Sequence, residues 1–243
     1  MRSNDWPESP RTQSAVLCSG GLDSVVLLAW AGQHAIAQPI YVRAGLAWER
    51  QEIEALDAIL PRMGHARPLA MLDFDVHDIY PASHWALRGT PPAYDTPDED
   101  VYLAGRNIVL LSKAAIFAAS RGLEQIVIGP LAGNPFPDAT PQFFRAMSAA
   151  LTLGLAHEIA IEAPFVSMHK ADVIRLGETL GVPLEATLSC MNPVGAVHCG
   201  LCSKCRERRD AFAEAGVEDR TKYAAPSPRL RSRASGASSG ETG

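Results

Sequence analysis

Two groups of residues in this chain have the types and spacing to do chemistry. The first is the string Cys18-Ser-Gly-Gly-Leu-Asp-Ser24. Gly20 and Gly21 allow backbone N–H groups to approach a ligand with no Cβ in the way. A helix N-terminus following them would add partial positive charge, so the string reads as an anion site suited to phosphate. Ser19 and Ser24 add hydroxyl groups. Asp23 would repel bare phosphate unless it holds a cation, and Mg²⁺ bound through one carboxylate plus phosphates supplies the reason for it. The chain has no G-x4-G-K-[ST] loop and no G-x-G-x-x-G string, so neither a Walker A site nor a dinucleotide fingerprint is present. A lone Gly-Gly would be an ordinary tight turn. The full string S-G-G-x-D-S is more specific.

The second group is Cys190-x8-Cys199-x2-Cys202-x2-Cys205, four of the chain's five cysteines. Four thiolates complete a tetrahedral zinc site and leave no open position for water, which makes such a site structural. An iron–sulfur cluster is the competing reading of the x2 spacings. His198 is a less well-spaced substitute ligand. Cys18 lies at a strand end and reads as a small core residue as well as the first residue of the loop. Arg206, Arg208 and Arg209 follow the cluster, either as anion contacts or as a solvated helical face.

These residues need elements to position them. Apolar runs at 14–18, 36–42, 68–72, 125–129 and 158–163 predict five strands. Helical patterns at 22–32, 47–63, 106–120, 141–153 and 170–180 alternate with them. Residues 76–100 hold several prolines and acids and predict an irregular excursion. Such alternation predicts an α/β fold, a parallel five-stranded sheet with helices on both faces. Ligands in these sheets sit at the carboxyl ends of strands, where the Ser-Gly-Gly loop falls. The expected organisation is a disordered segment at 1–13, an α/β domain at 14–185, a small zinc-binding region packed on it at 186–225, and a disordered Ser/Gly/Pro/Arg-rich tail at 226–243.

Composition narrows the class of partner. The formal net charge is −5 and hydrophobic residues make up 47% of the chain. This argues against a protein whose whole surface embraces nucleic acid, leaves a local basic patch open, and fits an ordinary globular protein. Clustered cysteines exclude a disulfide scaffold. No apolar h-region or long apolar run is present, which predicts a cytoplasmic protein with no membrane contact.

The S-G-G-x-D-S string resembles the pyrophosphate loop of the ATP pyrophosphatase superfamily. With C-x8-C-G-x-C-x2-C later in the chain, it resembles the 7-cyano-7-deazaguanine synthase (QueC) family. Further segments are similar to that family: Gly105-Arg-Asn107, Pro137-Asp138 with Pro141-Gln-Phe143, Ala163-Pro-Phe165 followed by Lys170, Thr187-x-Ser-Cys190, and Asp219-Arg-Thr-Lys-Tyr223. The likeness spans roughly residues 14–224. Two segments depart from it: 41–48 lacks the usual D-Y-G-Q-x-H, and 129–140 lacks a polar stretch and carries Thr140 where the family has Arg.

The resemblance implies an adenine nucleotide alpha hydrolase-like fold and a C–N-bond-forming ligase. Its substrates would be ATP with Mg²⁺, ammonia and a small heterocyclic carboxylate, 7-carboxy-7-deazaguanine, and its product the nitrile. It implies a structural zinc on Cys190, Cys199, Cys202 and Cys205, and a pyrophosphate loop formed by Cys18, Ser19, Gly20, Gly21, Leu22, Asp23 and Ser24. Asp23, Lys170 and Arg106 would be catalytic, with Asn107 and Asp138 contacting acceptor or phosphate. The reading leaves room for a homodimer. Alternatives are a relative that adenylates another carboxylate, a tRNA thiolase, and a zinc-knuckle module binding nucleic acid.

Overall fold

The computed structural model describes residues 13–64 and 67–228. Five strands form one sheet: β1 (Gln13–Leu17), β2 (Ile36–Arg43), β3 (Ala70–Asp73), β4 (Gln125–Val127) and β5 (Ala160–Glu162). All four pairings are parallel, and the order is β3-β2-β1-β4-β5. The helices are α1 (Leu22–His34), α2 (Glu49–Ile59), α3 (Trp85–Arg88), α4 (Arg106–Ser120), α5 (Pro141–Leu155), α6 (Lys170–Thr179) and α7 (Ser203–Ala215). The predicted α/β sheet is therefore present, with strand and helix bounds shifted by a few residues.

Side chains on successive strand residues point to opposite faces, and the apolar strand runs use this to fill two cores. Val16, Cys18, Ala37, Tyr41 and Val127 pack with α1 and α6. Ala15, Leu17, Ile40, Val42, Ile126 and Ile128 pack with α4 and α5. A third cluster joins Trp48, Val76, Ala86, Val101 and Leu103 to the four clustered cysteines. The excursion at 76–100 is irregular, as expected, and packed into this core. It contains α3 and covers the cysteine region, with a bridge between Ala93 and Cys202.

The sheet has its switch point between β1 and β4. From β1 the chain winds outward through β2 and β3, then returns to build β4 and β5 on the other side. A crevice opens at the carboxyl ends of the strands at such a point. Residues 19–24 follow β1 directly and lie there.

Two predicted boundaries move. Gln13 opens β1, and Ser227 is buried, its hydroxyl sharing a 3.0 Å hydrogen bond with that of Tyr94. The expected disorder of residues 1–12 and 229–243 lies outside the described residues. Among the described residues, no helix is long and apolar enough to cross a membrane.

Helices α1 and α6 pack closely through Gly177. A Cβ there would lie 2.8 Å from Leu184 Cδ2 and 2.9 Å from Val26 Cγ2. Overpacking of this kind costs about 1–3 kcal/mol. Gly177→Ala should therefore lower the urea midpoint without changing the slope of the transition; an unchanged midpoint would show that this packing has slack.

Candidate functional site

A cleft of about 600 Å³ opens at the switch point. One end is the loop after β1. The Ser24 hydroxyl accepts from the Ser19 N–H at 3.1 Å and donates to the Gly21 carbonyl at 2.9 Å. Gly20 has φ +81°, and a Cβ there would stand 2.9 Å from the Glu52 carbonyl oxygen. Positive φ and the close approach of α2 both require glycine. The Leu188 N–H donates to the Gly20 carbonyl at 2.8 Å, tying the loop to the segment entering the cysteine cluster.

Lys170 reaches this loop from the first turn of α6. Its Nζ is 3.2 Å from Asp23 Oδ2 and contacts Glu207 Oε1 of α7. Glu207 Oε2 in turn lies 2.5 Å from Lys204 Nζ. A cation in a first helical turn opposes the helix dipole, and the two carboxylates resolve that conflict. Burial alone would lower the Lys170 pKa, but Asp23 and Glu207 outweigh it and hold the pKa above the usual lysine value. Burial pushes Glu207 the other way, yet Lys170 and Lys204 draw it down to about 2. Asp23 Oδ1 is buried with no hydrogen-bond partner. An orphaned carboxylate oxygen beside an anion loop is the donor expected of a Mg²⁺ ligand.

The predicted loop and Lys170 thus come together. Cys18 contributes backbone but not its thiol to that set. Its Sγ is buried against the Ser24 carbonyl and hydroxyl, and burial raises its pKa to about 11. Asn107 and Asp138 also meet in the cleft wall, but on each other: Asp138 Oδ2 accepts the Asn107 N–H at 2.9 Å, and the Asn107 amide donates to the Asp138 carbonyl at 2.9 Å. Asp138 thereby caps α4 across space. Arg106 lines the cleft and is exposed.

Farther from the loop, the cleft wall is aromatic and apolar. Trp48 and Trp85 stack at 5.7 Å, Phe136 stacks on Tyr102 at 5.0 Å, and Leu46, Val101 and Leu103 complete the surface. Glu52, whose backbone lies against Gly20, is buried at the cleft and accepts the Tyr41 hydroxyl at 2.7 Å. Desolvation raises its pKa to about 7, against opposing help from Arg106 and Tyr41. Thr140 carries no cleft chemistry: its hydroxyl caps α5, accepting the Phe143 N–H at 3.1 Å.

The four cysteines form one buried cluster, with all sulfurs within 4.8 Å of one another. Sulfur pairs stand 3.5, 3.8 and 3.9 Å apart. Four sulfurs about 2.3 Å from a central tetrahedral ion would be about 3.8 Å apart. Backbone N–H groups of Asn192, Cys199, Gly200 and Leu201 point at three of the sulfurs at 3.2–3.4 Å, an arrangement that favours thiolates. The donor set fits a metal ion. Gly200 has φ +82°, and a Cβ there would lie 2.2 Å from the Ala225 carbonyl oxygen. His198 is no ligand: its Nε2 accepts the Ser189 N–H at 3.0 Å, and burial lowers its pKa to about 3.

The arginines after the cluster correct the expectation made for them. Arg208 is fully buried and donates to Thr221, Thr187, Ser189 and the Leu184 carbonyl. Arg209 donates to the Gly200 and Ala225 carbonyls and stacks on Tyr223, and Arg206 bonds Thr96 and approaches Asp98. They are internal clasps, not an open basic patch, because each guanidinium is occupied by neighbouring carbonyls or hydroxyls. Lys204 and Glu207 were missed, since two charges flanking a cysteine on a polar helix look like surface residues.

The family model described as "Queuosine biosynthesis protein QueC" matches residues 13–216. The chain is 36% identical over 224 residues to the 7-cyano-7-deazaguanine synthase of Methanothrix thermoacetophila, covering 87% of this chain and 98% of that protein. It is 37% identical over 232 residues to that of Anaeromyxobacter dehalogenans, covering 89% and 97%. It is 32% identical over 215 residues to that of Porphyromonas gingivalis strain W83, covering 86% and 96%.

Two measurements test the site's physics. Cys205→Ser should lose bound metal by elemental analysis and lower thermal stability; retained metal would remove Cys205 from the ligand set. Glu52 has a folded pKa above its unfolded value of 4.5. A carboxyl held neutral by burial favours folding at low pH and costs stability as pH rises. Wild type should therefore lose stability relative to Glu52→Gln as pH climbs from 4.5 through about 7; a constant difference across that range would mean Glu52 is ionised throughout.

Proposed function

The chain belongs to the QueC family of queuosine biosynthesis proteins, and from that premise we propose that it converts 7-carboxy-7-deazaguanine and ammonia to 7-cyano-7-deazaguanine at the expense of ATP. The observation that carries the reading is the meeting of Lys170 and Asp23, 3.2 Å apart, beside the loop at residues 19–24.

A carboxylate is a poor electrophile because oxide would have to leave. Attack of its oxygen on the α-phosphorus of ATP expels pyrophosphate and gives an acyl-adenylate. Ammonia displaces AMP to give the amide. A second adenylation, on the amide oxygen, expels another pyrophosphate, and loss of AMP with two protons leaves the nitrile. The loop N–H groups and Ser19 and Ser24 hold the departing pyrophosphate. Lys170 offsets the negative charge growing there. Such preorganised charge supplies most of the catalysis in transfers of this type. Mg²⁺, held by Asp23 and the phosphates, would supply further charge neutralisation. Arg106 and the Trp48–Trp85 wall face the acceptor, and Asn107 with Asp138 shapes that side of the cleft. Zinc is the ion assigned to Cys190, Cys199, Cys202 and Cys205, with a structural role.

One observation favours a second reading within the same chemistry. Leu46 and Trp48 stand in the segment that departs from the family pattern, and both line the cleft. An enzyme that adenylates a different, more apolar carboxylate would use this wall. A thiolase is disfavoured, because the Cys18 thiol is buried and protonated. A zinc-knuckle binder of nucleic acid is disfavoured by the occupied arginines.

Incubation with ATP, ammonia and 7-carboxy-7-deazaguanine should release pyrophosphate and AMP and yield the nitrile by mass spectrometry. Asp23→Ala and Lys170→Ala should each cut turnover at least about 100-fold with metal content unchanged, whereas Cys18→Ser should stay active. Turnover only with other carboxylates would select the second reading, and full activity of either loop variant would move the site.

A further inference from the structure

Lys204 fills a variable position between Cys202 and Cys205 and Glu207 lies past the cluster, so neither is a defining residue of the motifs that carried the family resemblance, yet both line the cleft beside the pyrophosphate loop. They form a chain of alternating charge: Asp23 Oδ2 to Lys170 at 3.2 Å, Lys170 to Glu207, and Glu207 to Lys204 at 2.5 Å. Lys170 has three N–H donors. Two are directed to carboxylates, which leaves one for a ligand. Without other charges, Glu207 would stand as an anion against the site meant for an anion. Like charges brought close together near a protein surface repel each other. Lys204 offsets that charge through the other oxygen of Glu207.

We propose that Glu207 is a positioning residue, which holds the Lys170 ammonium at the pyrophosphate loop, and that Lys204 is the countercharge that lets it do so without repelling the bound phosphate. The inference rests on the ATP-dependent reading above. The geometry supports a division of labour. Asp23 has a second oxygen, Oδ1, buried and without a partner, so it has a cation to gain when nucleotide arrives. Glu207 has both oxygens engaged, one by each lysine. It therefore keeps its place while Lys170 turns its remaining donor to the phosphate. The backbone around Glu207 is fixed on both sides, by Cys205 in the buried cluster and by the fully buried Arg208.

The test is calorimetric binding of magnesium pyrophosphate to the full chain, with steady-state turnover alongside. Lys204→Met should weaken pyrophosphate binding about five- to tenfold, the scale of one partly exposed charge pair. Lys204→Gln should reproduce that loss, and Lys204→Arg should bind as wild type does. Glu207→Gln should bind at least as tightly as wild type but lower kcat about tenfold, because Lys170 is no longer held; Glu207→Asp should recover part of kcat. The decisive variant is Lys204→Met with Glu207→Gln, which should return the Kd to within about twofold of wild type. If the double variant binds as weakly as Lys204→Met alone, Lys204 touches the phosphate itself and the proposal fails. It also fails if Lys204→Met and Lys204→Gln both bind as wild type does. A wild-type protein that binds no pyrophosphate would overturn the functional reading, a result distinct from any difference among variants.

Discussion

Lys170 stands between Asp23 and Glu207, and the surrounding structure is arranged to keep it there. The three residues come from α1, α6 and α7. Asp23 is fixed because α1 begins one residue after the glycine pair and runs back along the sheet. Lys170 is fixed because α6 packs on α1 with only a hydrogen atom at Gly177 between Leu184 and Val26. Glu207 is fixed because α7 packs on α6 and starts inside the cysteine cluster. An ammonium taken so far from water is tolerable only when carboxylates surround it. The same carboxylates would spoil an anion site unless they have other cations to turn to.

Lys204 is that cation for Glu207, and the C-terminal region holds both in place through an unusual core residue. Arg208 is fully buried, and its acceptors are the neutral oxygens of Thr221, Thr187, Ser189 and the Leu184 carbonyl. Burial lowers its pKa for want of an adjacent carboxylate. Four hydrogen bonds to a charged donor offset part of that cost. In return, one side chain joins the chain before the cysteine cluster, the helix after it and the segment near residue 221. This explains why Thr187-x-Ser-Cys190 and Asp219-Arg-Thr-Lys-Tyr223 occur together. Their hydroxyls are the seat of one guanidinium. The cysteine cluster and Arg208 hold α7 in addition to the short apolar contact made by Ala211 and Phe212.

The same fact decides what could be read in the sequence. The five strands and the sheet class were legible because buried parallel strands are short apolar runs and their helices are amphipathic. The loop was legible because Gly20 meets a steric demand that no other residue meets. Helix α7 was not, although its buried positions Cys205, Arg208 and Phe212 recur at helical spacing. The period is there, but two of the three carriers are a thiol and a guanidinium, and a hydrophobic template passes over them. Lys204 and Glu207 were hidden for the matching reason. Charges gain meaning only from partners distant in sequence, and Lys170 lies 37 residues from Glu207. The excursion at 76–100 is irregular as expected, but its packing was not legible, because it comes from a third core shared with the cysteines.

The two departures from the family pattern acquire different meanings in three dimensions. Thr140 lies outside the cleft and serves as a helix cap, whereas 129–136 of the same segment lines the cleft, so the loss of the polar stretch there does change what the site touches. Residues 41–48 remain at the cleft. Tyr41 holds the buried Glu52, and Trp48 forms the aromatic wall with Trp85. The charged end of the cleft draws its contacts from α1, α6 and α7, and none of these depends on 41–48. The departures therefore fall on the cleft wall and not on the residues that hold Lys170. A planar ring gains from stacking on indole, and a buried carboxyl held near neutrality can either donate or accept a hydrogen bond to its edge. The wall can therefore vary in this chain while the contacts of Lys170 stay constrained by its charge.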